Sequence, residues 1–309
     1  MPHEFDLIVV GGGVLGSFHA YHALQRGKRV GLCERNPEPR VASAQNFGQI
    51  VPSGMDPKWQ AFGRKSLNVY QSIQNQFDLS LVQNGTIYIA SNPGEVQLIE
   101  ELHKINSAND YPSELWTAAQ CRERYPNLRA DYCKGGLFFP QEFSVNPRVM
   151  IHRLQAFMQA LPGFDHFPSC LIQEVNRCSD GRVEVVSSSG ASMKGEKVII
   201  CSGTEFRVLF PEVFAGSDLV AVKLQMLRLT PQSSLLMPGN ILTGLSIRRY
   251  ESFRGCPSYV EVTSQDDPES FWKQWGVHIL FKQEADGSII LGDSHEYADA
   301  SNRDTLSYD

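Results

Sequence analysis

Apolar residues first appear as a nearly unbroken run, Phe5 then Leu7 to Val10, the pattern of a strand buried on both faces. Three glycines, Gly11 to Gly13, end the run. Over residues 14–25 the period changes, and Leu15, Phe18, Tyr21 and Leu24 recur at a spacing that shares one helical face. Gly27 suits the left-handed position past a helix end. A second short apolar run, residues 29–33, stops at Glu34. The opening of the chain therefore predicts a β-turn-α-β unit.

Residues 37–54 are rich in Pro, Ser, Asn and Gly and read as loop. The spacing then predicts helices over 56–76, 94–106, 116–125 and 148–161, and a strand over 85–90. The third of these helices stops before Pro126, and the fourth starts at Asn146-Pro147, where proline is tolerated in the first turn. Strands are expected at 171–175 and 182–187, around Ser179-Asp180-Gly181, and a buried strand at 197–201. The remainder reads as strand-rich, with candidates at 220–230, 241–250, 259–263, 277–282 and 288–291 and a hairpin turn at Asp286-Gly287. Regular βα units do not follow Glu34, so two domains are expected to interleave. The chain shows no internal repeat.

Composition narrows the class. The 309 residues are 42% hydrophobic and 20% charged, ordinary for a globular protein. A net charge of −6 disfavours nucleic acid or an anionic membrane as main partner. No apolar run approaches the ~18 residues of a membrane span. The first residues lack the basic and apolar regions of a signal peptide, and the seven cysteines contain no CxxC. Reduced thiols and a cytoplasmic location are expected. The eight histidines show no HExxH or comparable spacing, so no metal site is expected.

The strand-glycine-helix junction carries the chemistry. Gly11-x-Gly13-x-x-Gly16 follows a predicted strand and opens a predicted helix, and Glu34 ends the next strand. Gly11 allows a tight turn, Gly13 a close approach of pyrophosphate, and Gly16 close helix–strand packing. The amides at the helix start, Val14 and Leu15, supply donors to the phosphates. Glu34 suits ribose hydroxyls and would repel a 2′-phosphate, which disfavours NADP; Arg35 is its neighbour on the same lip. This constellation predicts dinucleotide binding without separating FAD from NAD.

Further segments resemble the FAD-dependent D-amino acid oxidase/glycine oxidase/sarcosine oxidase superfamily. Ala42-Ser43-Ala44-Gln45-Asn46-Phe47-Gly48-Gln49-Ile50 is similar to its flavin-facing loop. Gly85-Thr86-Ile87-Tyr88-Ile89-Ala90 resembles the strand entering the substrate domain, and Ser144-Val145-Asn146-Pro147 the return to the FAD domain. Lys197 to Gly203 resembles the late cofactor-contacting strand, and Asp286 to Gly292 the hairpin beside the active site. Leu224-Gln225-Met226-Leu227-Arg228 and Gly292-Asp293-Ser294-His295-Glu296-Tyr297 resemble a subgroup proposed to oxidise aminophosphonates. Two features depart from the family pattern. Thr204-Glu205 stands where an aromatic residue is usual, and family members continue past the position of Asp309 with a Gly-rich segment.

The resemblance implies an α/β fold, a Rossmann-type FAD-binding domain (1–80 and 141–215) interleaved with a mixed, β-rich substrate domain (81–140 and 216–300). Residues 301–309 would begin the C-terminal FAD-domain segment. It implies hydride transfer from a CH–NH or CH–NH2 group of a small amine to flavin, followed by imine hydrolysis and reoxidation by O2 or another acceptor. FAD would be held by Gly11, Gly13, Val14, Leu15, Gly16, Glu34, Arg35, Ser43, Asn46, Gly48, Gln49, Val175, Cys201, Ser202 and Gly203. On the substrate side the candidates are His278, His295, Tyr250 and Arg249, the last suited to a carboxylate or phosphonate. Lys223 is a candidate for O2 activation or for the flavin N1 region. His19, His22, Trp272 and Trp275 read as packing or surface residues. Two alternatives remain. A non-catalytic, truncated FAD-binding remnant is one; an NAD-dependent dehydrogenase is the other, and it would need further βα units around residues 90–200.

Overall fold

The structure, a computed structural model, describes residues 4–299. In chain order the elements are β1 (Glu4–Val10), α1 (Val14–Leu24), β2 (Val30–Cys33), β3 (Gln49–Ile50), α2 (Pro57–Gln74), β4 (Thr86–Ala90), α3 (Pro93–Ala108), β5 (Glu114–Thr117), α4 (Ala118–Arg124), β6 (Gly135–Phe139), β7 (Phe143–Ser144) and α5 (Pro147–Gln159). They continue with β8 (Phe164–Phe167), β9 (Ile172–Arg177), β10 (Val183–Ser187), β11 (Ser192–Ile200), α6 (Pro211–Ala215), β12 (Val220–Leu229), β13 (Asn240–Leu242), α7 (Gly244–Ile247), α8 (Tyr259–Ser264), α9 (Phe271–Gln274), β14 (Leu280–Gln283) and β15 (Ile289–Asp299).

One sheet has six strands in the order β8-β2-β1-β11-β10-β9. The first four are parallel, and β11-β10-β9 form an antiparallel meander. Ile8 and Val9 are fully buried on opposite faces of this sheet, as the unbroken apolar run requires. On one face β1 and β2 pack with Ala20 and Leu24 of α1, Ile73 of α2, and Leu154 and Met158 of α5. A second sheet has seven strands, β12-β15-β14-β13-β4-β6-β5, in which only β13 and β4 run parallel. The short antiparallel pair β3 and β7 joins residues beside the two sheets.

Three of the longer helices start alike. Asp56-Pro57, Asn92-Pro93 and Asn146-Pro147 each place an Asx side chain as the N-cap acceptor and proline in the first turn.

Three sequence expectations need correction. Residues 241–250 form a short strand and then helix α7, so Arg249 and Tyr250 follow a helix and do not end a strand. Residues 259–263 lie in helix α8, where the i, i+3 pair Tyr259 and Val262 both pack onto the core of α3 and β4. Trp116 belongs to strand β5, and the helix begins after Thr117, whose capping box with Gln120 fixes the boundary. The expected segment 301–309 lies outside the described residues. No helix among the described residues is long and apolar enough to cross a membrane.

Candidate functional site

A groove runs along the carboxyl ends of the parallel strands, lined by Gly11, Gly13, Glu34, Arg35, Ser43, Cys201, Ser202 and Gly203 among others. Its floor is the junction between β1 and α1. Gly11 has φ +106°, and a Cβ there would stand 2.1 Å from the Cys201 carbonyl oxygen. A Cβ on Gly16 would stand 1.8 Å from the Gly11 carbonyl oxygen. Both glycines are therefore demanded by close backbone approach. Gly13 is the N-cap of α1, and a Cβ there would meet Ser43 Oγ at 2.9 Å. The Val14 amide donates to the same Ser43 Oγ at 2.8 Å, so a side-chain oxygen already marks the anion-favouring helix end.

Glu34 is buried at the groove, only 6% exposed. Its Oε2 accepts from the Gly12 amide at 2.8 Å and its Oε1 from the Asn36 amide at 2.9 Å. Among the described residues no Lys or Arg pairs with it. A carboxylate has about four acceptor positions, so capacity remains for hydroxyl donors. Arg35 pairs with Glu205 at 2.7 Å across the rim. This donor and acceptor set fits a dinucleotide: a cradle without Cβ atoms, a helix start and a buried acid. Burial pushes the Cys201 thiol up from its ordinary value, consistent with an inert thiol.

Val175 does not line this groove. It pairs with Val185 further along β9, and Cys170, Leu171 and Ile172 supply the wall instead. Leu15 is exposed and, with Val14, faces a different hollow between α1 and α2.

The loop leaving the groove runs onto the second sheet. Asn46 ties it up: its Nδ2 donates to the Ala42 and Ser43 carbonyls at 3.1 and 2.9 Å, and its Oδ1 accepts from the Gly48 amide at 2.9 Å. Gln49 Nε2 then donates to the Phe281 carbonyl on β14 at 3.1 Å. Asn46 also lines a smaller hollow with Leu224, Gln225, Met226 and Glu284.

Further along the second sheet the substrate-side candidates come together. The rings of Tyr250 and His278 meet edge-on at 5.7 Å, His278 stacks on His295 at 5.2 Å, and His295 on Tyr297 at 6.3 Å. Arg249 donates to Tyr297 Oη at 3.0 Å and makes no ion pair among the described residues. Burial lowers the His295 pKa and pushes the Tyr250 hydroxyl up. Lys223 is placed elsewhere, paired with Glu296 at 3.3 Å. Trp275 offers its carbonyl to the His295 amide at 2.8 Å, while Trp272 and Trp275 stay 50% and 43% exposed.

Several participants escaped the sequence reading. Asp293 is buried with its Oδ1 2.8 Å from His278 Nε2. The i, i+2 spacing of Asp293 and His295 on a strand was the available signal. Glu142 is fully buried beside the loop, its Oε1 accepting from the Ser53 amide at 2.7 Å and from Tyr111 Oη at 2.9 Å. Burial raises its carboxyl to about 7. A separate cavity of about 860 Å³ opens on the opposite face of the second sheet, against Ile241 and Phe281; Trp272 lines it, and none of the predicted cofactor or substrate residues does.

Similarity to known proteins agrees with this geometry. Mouse mitochondrial sarcosine dehydrogenase is 24% identical over 213 residues, 66% of this chain and 23% of that protein. Glycine oxidase from Geobacillus kaustophilus is 23% identical over 218 residues, 66% of this chain and 55% of the enzyme. The crystal structure of glycine oxidase from that organism superposes with a TM-score of 0.74 at 16% identity, covering 99% of this chain and 73% of the other. The chain thus spans between about a quarter and just over half the length of these two curated relatives. The family model described as FAD dependent oxidoreductase, DAO, matches residues 6–308, and with nearly the whole sequence accounted for, the chain belongs to that FAD-dependent family.

Proposed function

We propose that this chain oxidises a small amine bearing an anionic group, with FAD as the hydride acceptor. The observation that carries this reading is the juxtaposition of two sites. A cradle of Gly11, Gly13, Glu34 and Cys201 leads, through the Asn46–Gln49 loop, onto a sheet bearing an Arg, Tyr and His cluster.

FAD supplies, when bound, a hydride acceptor that O2 or another oxidant regenerates. Gly11, Gly13, Val14 and Ser43 would hold its pyrophosphate, and Glu34 its ribose. The strand end at Cys201, Ser202 and Gly203 and the loop at Asn46, Gly48 and Gln49 would flank the rest. On the other side Arg249, a guanidinium without a carboxylate partner among the described residues, suits a bidentate anion. The half-buried ring of Tyr250 and the buried ring of His278 would strip water from an ammonium, which favours the neutral amine able to react. In this reading residues 1–80 and 141–215 form the cofactor unit, and residues 81–140 and 216–300 the substrate unit.

The names of the relatives support the substrate class, since glycine and sarcosine each carry an amine one carbon from a carboxylate. An aminophosphonate is the narrower candidate, supported by the resemblance of residues 224–228 and 292–297. The test is an absorption spectrum of the purified chain, followed by anaerobic mixing with glycine, sarcosine or 2-aminoethylphosphonate. Flavin bands that bleach with one of these amines are expected. A yellow protein inert to every such amine would overturn the substrate class, and a colourless one that takes up no added FAD would favour a non-catalytic remnant.

A further inference from the structure

The geometry points to a divalent metal site built from His278, Asp293 and His295, for a first-row ion of the Zn2+ class. One ligand atom from each of the three residues lies within 4.8 Å of the others. His278 Nε2 is 2.8 Å and His295 Nδ1 is 3.9 Å from Asp293 Oδ1, and His295 Nδ1 donates to the Gly276 carbonyl at 3.0 Å, which leaves that ring's lone pair on Nε2. An ion holding N and O donors at ~2.0–2.2 Å brings neighbouring donors to roughly 2.8–3.6 Å of one another. The His278–Asp293 separation falls in that span, the His295 Nδ1–Asp293 separation lies just outside it, and all three residues offer a ligand atom within 4.8 Å of the others.

Electrostatics call for a cation there. Asp293 has a side chain only 7% exposed, and its Oδ1 is buried with no directed hydrogen bond despite the nearby imidazole. Among the described residues no Lys or Arg pairs with it. A buried carboxylate oxygen left in this state is costly unless a cation or donor arrives.

The donors are also held in place. His278 and Asp293 exchange backbone hydrogen bonds, at 3.0 and 2.7 Å, which locks the two ligands opposite each other. His278 Nδ1 lies 3.4 Å from Ser246 Oγ, the kind of outer contact that orients a ligating imidazole. Two imidazoles and one carboxylate suit first-row divalent ions and leave coordination positions open. The site shares His278 and His295 with the substrate cluster proposed above, and because metal occupancy and FAD content are measured separately, the failure of one reading is distinguishable from the failure of the other.

The experiment is calorimetric titration of ZnCl2 into the purified full chain after chelator dialysis, with flavin content recorded. One ion per chain is expected. Asp293→Asn and His278→Ala should each weaken binding at least a hundredfold, and Ser246→Ala by roughly tenfold. The double variant His19→Ala/His22→Ala, on α1 far along the chain, should bind as the parent does. Should Asp293→Asn fail to fold, the less buried His295→Asn carries the same test. Absence of binding would overturn the site, as would binding that Asp293→Asn, His278→Ala and His295→Asn leave within threefold, or binding lost in the α1 variant.

Discussion

A Cβ on Gly48 would stand 2.6 Å from the Lys282 ammonium nitrogen, so the glycine of the loop and the lysine of β14 share one small volume. Lys282 is 1% exposed; its Nζ donates to the Val145 carbonyl at 2.6 Å and pairs with Glu284 at 2.9 Å. Gly48 also has φ +73°, and its Cβ would meet the Val145 oxygen at 2.2 Å. Gly48→Ala should therefore destabilise the fold by on the order of 2–4 kcal/mol. Urea unfolding measures this, and a loss under ~1 kcal/mol would show that the loop can move away.

Gly13→Asp places a carboxylate at the start of α1, where a Cβ already meets Ser43 Oγ at 2.9 Å. A side chain in the pyrophosphate position, with like charge, should leave the purified protein with less than roughly a tenth of the parent FAD content. Undiminished flavin absorbance per chain would move the cofactor away from this groove.

Glu142 predicts a pH dependence of stability. Burial raises its carboxyl from an ordinary 4.5 to about 7, so the fold favours the protonated acid. The fold then binds more protons than the unfolded chain between these values. The stabilisation is complete below about 4.5 and lost as pH rises to about 7, a change on the order of 3 kcal/mol. Glu142→Gln keeps the acceptor for Ser53 and Tyr111 without the charge. Thermal melts should show the variant gaining several degrees over the parent from pH 5 to pH 8; a constant difference would refute the assignment.

Arg248 joins two carboxylates, pairing with Glu95 through Nε at 2.8 Å and with Asp266. Glu95 is 3% exposed and also accepts from the Ser91 amide and hydroxyl at 2.7 Å. Removing the guanidinium strands a buried charge, so Arg248→Met should cost about 3 kcal/mol. Adding Glu95→Gln should return at least ~1 kcal/mol of that loss. Additive losses in denaturant melts would mean the two residues act independently.

Periodicity sufficed where the local pattern and the tertiary environment agreed. The apolar run of β1, the glycine junction and the Asn146-Pro147 start of α5 all declare themselves in a few residues. Tyr259-Val260-Glu261-Val262-Thr263 alternates like a strand, yet the segment folds as helix. There Tyr259 Oη reaches the Arg248 carbonyl at 2.7 Å and Val262 enters a core built from distant strands. Local alternation cannot report such partners. The short strands β5 and β6 were hidden for a similar reason: glycines at 135 and 136 carry no pattern, and Cys121 and Ile87 fill the space against Gly136. The histidines at 278 and 295 stood out by residue type, whereas Asp293 offered only its i, i+2 spacing from His295 until the fold buried it beside both rings.

The cradle is also a statement about time. Gln155 Nε2 donates to the Gly12 carbonyl at 2.7 Å across 143 residues of chain, and β11 pairs alongside β1 from later still. Closing loops of that length comes slowly. A nascent chain whose first thirty-odd residues already spell the glycine fingerprint has no complete pocket until the strand ending at Ile200 has arrived. A chain stalled before that strand would lack both the complete groove and the partner of the β1 edge that β11 covers.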